Sequence, residues 1–167
     1  MVTGIKELEQ ALRKTLPALV ETQVRAAMEK AADSVVSQMK SRAPVYAGDE
    51  TVRRDRRHKG QPIVPGAIRD SIAWTWGEAP AGTVTLGSVK TKQFTGTGSY
   101  KLTIYAGNKE AFYTRWAEFG TRKWGGNPFF FSTWRNNKSK VKGMMTRAIR
   151  KAIKDAVANS NGALTAG

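Results

Sequence analysis

The chain reads as an α+β protein in which a long N-terminal helix and a C-terminal helix pack on a small antiparallel sheet of three to four strands. Three observations carry that expectation. Val24, Met28, Ala31, Val35 and Met39 recur at three- and four-residue spacing, and Val141, Met145, Ala148, Ile149, Ala152 and Ala156 do the same near the C-terminus. Such spacing places each set on one helical face. Between them the period falls to two, in Ile72, Trp74 and Trp76 and again in Tyr100, Leu102 and Ile104, the signature of strands with one buried face.

The N-terminal helical pattern covers residues 5–42 and is interrupted by Pro17, so a short first helix holding Leu8 and Leu12 is expected before a break. Pro44 ends the long helix, because the residue before a proline avoids helical dihedrals. Residues 45–66 read as a basic arm carrying Arg53, Arg54, Arg56, Arg57, His58 and Lys59. The strand through Trp76 turns at Ala79-Pro80-Ala81-Gly82, and Val84 and Leu86 open a second strand. Thr91 to Ser99 reads as a hairpin tip before the third strand. Residues 110–119 predict a short helix closed by Gly120 in the left-handed region. The last helix is expected to end near Asn159. The chain thus divides into one domain over 1–159 and a flexible tail over 160–167.

Composition bounds the function. With 167 residues and 40% hydrophobic content, one domain with a real core is expected. Cysteine is absent, which removes disulfide and thiolate chemistry. No stretch approaches the roughly 18 apolar residues of a membrane span, and the N-terminus lacks the apolar run of a signal peptide. Lys plus Arg is 28 against 13 Asp plus Glu, a net charge of +15, which points to nucleic acid or an acidic protein as partner. The excess is concentrated in the Arg53–Lys59 arm and in a stripe formed by Lys140, Arg147, Lys151 and Lys154. These are the candidate contacts to DNA or an acidic partner: Arg53, Arg54, Arg56, Arg57, Lys59, Lys140, Arg147, Lys151 and Lys154. Charge runs usually are solvated faces, and nothing specifies base readout, so any DNA contact is expected to be sequence-independent.

Catalysis finds little support. The single histidine, His58, lies among arginines, where a histidine is more often a polar surface group than a general base. Asp49 with Glu50, and Glu7 with Glu9, do not assemble a metal cluster, and Gly96-Thr97-Gly98 lacks the setting of a phosphate loop. The reading is a non-enzyme with no catalytic residue, metal or cofactor.

The most informative stretch is residues 104–134. Phe112, Tyr113, Trp116 and Phe119 are most simply a helix packed on the sheet. Phe129, Phe130 and Phe131, taken as a strand, cannot all point inward, so at least one is expected at an interface. The candidate subunit interface is Trp116, Glu118, Phe119, Trp124, Pro128, Phe129, Phe130 and Phe131. Within it Phe129–Phe131 is assigned the joint itself, and Trp116 and Phe119 the monomer's own core. Glu118 is open to two readings, a neighbour's Arg or Lys or an intramolecular helix cap.

The order of short motifs is Arg42-Ala43-Pro44, then Pro65-Gly66-Ala67-Ile68-Arg69-Asp70-Ser71-Ile72, then Tyr105-Ala106-Gly107. Tyr113-x-x-Trp116-Ala117-Glu118-Phe119-Gly120-Thr121 and Asn127-Pro128-Phe129-Phe130 follow. Over residues 20–157 this resembles the tail-completion, or head–tail joining, family of tailed bacteriophages. The basic arm over 45–64 and the Phe-Phe-Ser run after Pro128-Phe129 depart from the family pattern. The resemblance implies a structural virion protein of the neck or tail end, assembled in the host cytoplasm. It implies a ring, with six copies expected and twelve the alternative, that completes the tail and joins it to the DNA-filled head. Neighbouring neck, tail-terminator or tail-tube proteins would be its partners. A sequence-independent DNA-binding module is the other reading that the charge allows.

Overall fold

The computed structural model describes residues 16–47, 60, 62, 64–92, 99–108, 111–123 and 125–165. Their elements are α1 (Leu16–Arg42), α2 (Ala67–Asp70), β1 (Ala73–Trp76), β2 (Val84–Lys92), β3 (Ser99–Ala106), α3 (Thr114–Phe119) and α4 (Phe130–Thr165). The α+β architecture is the one the periodicities predict. Pro17 falls in the first turn of α1, where its missing N–H costs no helix hydrogen bond. The shorter helix expected before it, like His58 and the rest of the Arg53–Lys59 cluster, lies outside the described residues.

The sheet has the order β1-β3-β2, with both edge strands antiparallel to β3. Ala73 pairs with Tyr105 and Trp76 with Leu102, while Val84 pairs with Ala106 and Lys92 with Ser99. The β2 register shifts between Thr85 and Ser88, a bulge that increases local twist. Tyr100, Leu102, Ile104 and Ala106 point from β3 into the core, where Val24, Met28, Ala31, Val35 and Met39 of α1 meet them. Val141, Met145, Ala152 and Ala156 of α4 complete the layer, with Ile149 half-buried against it. A hydrogen bond from the Asn137 side-chain amide to Gln38 Oε1 at 3.0 Å ties α4 to α1 within this apolar seam.

A polar clasp sets how α1 lies on the sheet. The Trp74 indole N–H donates to Asp33 Oδ1 at 2.7 Å and the Trp76 indole N–H to Glu29 Oε1 at 3.1 Å. The Arg25 guanidinium sits 5.1 Å from the Trp76 ring and 4.8 Å from the Tyr100 ring. Arg25, Glu29 and Asp33 are spaced by four, so one helical row serves the sheet's aromatic residues. The signal was present in the sequence, as three charges at four-residue spacing beside a strand holding two tryptophans.

Two expectations are corrected. Phe129–Phe131 is not a strand: Phe130 opens α4, and Phe129 immediately precedes it. Successive helical side chains step by about 100° rather than 180°, so neighbouring phenylalanines can enter one core. The last helix also does not stop near Asn159 but continues to Thr165, through residues read as a flexible tail.

Candidate functional site

The motif residues converge where β3 hands the chain to α3 and α3 hands it to α4. At the end of β3, Gly107 has φ 100°, which favours glycine, and Asn108 Oδ1 accepts the Ala111 N–H at 2.7 Å. The Gly107 N–H donates to Ser71 Oγ at 2.9 Å, and that hydroxyl donates to the Ile68 carbonyl at 2.7 Å. The Gly-x-x-x-x-Ser element around α2 and the Tyr-Ala-Gly turn are therefore one hydrogen-bonded corner. Thr114, 1% exposed, turns inward at the start of α3 and donates to the Ala111 carbonyl at 2.6 Å.

Glu118 is the centre of the site. Its carboxylate is 3% exposed and accepts three main-chain N–H bonds at the start of α4. Phe129 and Phe130 donate to Oε2 at 3.0 and 2.9 Å, and Phe131 donates to Oε1 at 2.9 Å. The first N–H groups of a helix have no partner within it and carry the positive end of the helix dipole. A carboxylate brought from α3 satisfies them, which is how a polar side chain is accommodated at this depth. Pro128, exposed, needs no N–H partner at the turn before them.

The intervening loop is folded tightly on α3. Gly120, with φ 79°, donates its N–H to the Trp116 carbonyl at 2.8 Å, and Asn127 donates to the Ala117 carbonyl at 2.8 Å. A Cβ on Gly126 would lie 2.6 Å from the main chain of Glu118, Phe119 and Gly120. Glu-Phe-Gly-Thr and Asn-Pro-Phe are thus two halves of a single latch closing α3 onto α4.

This geometry reverses part of the interface assignment. Phe129 and Phe130 are 1% and 0% exposed, and Phe131 is half-buried, so the rings of the first two belong to the monomer's core. Trp116 and Phe119, placed in the core by their aromatic character, are instead 55% and 61% exposed. The inward row of α3 is Thr114 and Glu118, four apart, and it leaves Trp116 and Phe119 on the other side. Phe119 packs on Phe131 at 5.4 Å and Trp116 on Phe112 at 5.7 Å, making an aromatic ridge open to solvent. Of the two readings of Glu118, the intramolecular cap is the one realised. Trp124 lies outside the described residues.

Lys140, Arg147, Lys151 and Lys154 are all exposed along α4, whereas Arg53, Arg54, Arg56, Arg57 and Lys59 lie outside the described residues. Among the described residues no group of three or more His, Asp or Glu could hold a metal ion, and no helix is long and apolar enough to cross a membrane. A gap lined by Met28, Val35, Leu102, Trp134 and Met145 measures about 10 Å³, too small for a ligand.

Searches of curated proteins and of solved structures return no match. One family model does match, over residues 6–120: the HK97-gp10-like family, described as "Bacteriophage HK97-gp10, putative tail-component". The matched span takes in α1, α2, the sheet and all of α3, and ends on the Gly120 cap beside Glu118. The chain belongs to the HK97-gp10-like family of bacteriophage tail components, structural proteins of the virion.

Proposed function

We propose that the protein forms a ring at the phage neck that completes the tail and joins it to the DNA-filled head, with the α3 ridge as the joint between copies. The observation that carries this reading is the exposure of Trp116 and Phe119, at 55% and 61%, around a carboxylate that is itself buried. Two adjacent aromatic side chains left in water are unfavourable in an isolated protein, and tryptophan is the residue most often dominant in an interface. The latch beneath them makes the ridge rigid, so little ordering entropy is lost when a partner covers it.

A ring requires a heterologous contact, one surface of a copy meeting a different surface of the next, repeated until it closes. The ridge supplies the protruding half of such a contact. Six copies is the expected closure, with neighbouring neck, tail-terminator or tail-tube proteins above and below. The test is a phage carrying Trp116→Ser with Phe119→Ser. The protein should fold normally while particles accumulate as separate heads and tails under the electron microscope. Normal numbers of joined, infectious particles would contradict the assignment.

A further inference from the structure

Among the described residues, most carboxylates have a partner, whereas four cations along α4 have none. Glu29 and Asp33 accept indole N–H bonds, Asp70 pairs with Arg69, Glu78 pairs with Lys101, and Glu118 holds the start of α4. Lys140, Arg147, Lys151 and Lys154, by contrast, have no ion pair among the described residues. Asp155, the only acid on α4, is half-buried and four residues from Lys151, yet the two are not paired.

The four cations are seven, four and three residues apart, so they line one flank of a continuous helix. At about 1.5 Å rise per residue they extend over roughly 21 Å. That matches about six base pairs of duplex axis at about 3.4 Å each. Asn136, Gly143 and Ala158 share the flank and add no large apolar side chain, and Met144 beside them is half-buried against the core. A protein joint needs apolar anchors and is depleted in lysine, and this flank has three lysines and no anchor. A phosphate backbone needs only cations at intervals.

We propose that the flank of α4 formed by Lys140, Arg147, Lys151 and Lys154 tracks the phosphate backbone of duplex DNA without reading its sequence. This surface is distinct from the aromatic ridge and does not depend on ring formation.

The test uses the full chain and a labelled random-sequence duplex, titrated by fluorescence anisotropy at several salt concentrations. Four phosphate contacts give a slope of about −3.6 in log affinity against log salt, so affinity falls about 150-fold over a fourfold salt increase. Combining Lys140→Gln, Arg147→Gln, Lys151→Gln and Lys154→Gln should make the slope shallower by three to four units, with an unchanged circular dichroism spectrum. A companion variant with Arg53, Arg54, Arg56, Arg57 and Lys59 replaced by Gln should retain the α4-dependent slope. The proposal is overturned if the α4 variant keeps the full slope, or if the wild-type chain does not bind duplex at low salt. It is equally overturned if the flank binds polyglutamate but not duplex, which would identify an acidic protein as the partner. Because Trp116→Ser should leave this binding intact, failure here and failure of the ring reading are separable.

Discussion

Glu118 sits between Ala117 and Phe119 in sequence but does its work eleven to thirteen residues away, at the main chain of Phe129, Phe130 and Phe131. Replacing it with alanine strands three N–H groups next to buried phenyl rings. A single buried donor left without a partner costs about 1–3 kcal/mol, so Glu118→Ala should cost about 3 kcal/mol or more in urea denaturation. Glu118→Gln keeps the shape but turns an amide donor toward one of those N–H groups, and should lose an intermediate amount. Gly126→Ala should also destabilise, by about 1–3 kcal/mol, because its Cβ would meet immovable main chain at 2.6 Å. Nothing in the residue string separates a capping glutamate from an interfacial one. Both are acids flanked by aromatics, and only the fold brings the α4 amides within reach.

At the scale of elements, helices α1 and α4 and strand β3 were legible because each repeats its apolar residues over many positions. The six-residue α3 was legible as an element but not in its facing. A helix with fewer than two turns has too few positions for periodicity to choose a side, and here the inward row is polar, Thr114 and Glu118. Three phenylalanines in a row were misread for a related reason, since the alternation rule applies to strands and these open a helix. The corrected facing yields opposite predictions for two aromatic positions. Phe130→Ala should cost about 3–5 kcal/mol by emptying a core site. Trp116→Ser should change stability by no more than about 0.5 kcal/mol in the same denaturation experiment, as surface substitutions do. Equal losses at both positions would mean that α3 faces the other way.

For the whole molecule, the two long helices and the sheet form a platform that presents two unlike surfaces. The α3 ridge is aromatic and fixed by the Glu118 latch; the α4 flank is cationic and left unpaired. The net charge of +15 raises the expectation of a charged partner but gives no position for it, because charge count carries no geometry. Family membership supplies the setting, a phage tail component, and the ridge supplies the proposed joint within it. A reconstruction of the assembled particle tests that joint most directly, by the surroundings of Trp116 and Phe119 in each copy. The account predicts a closed ring at the neck in which both side chains are buried against the adjacent copy. Finding them bare to solvent, or finding this chain outside any ring, would contradict it.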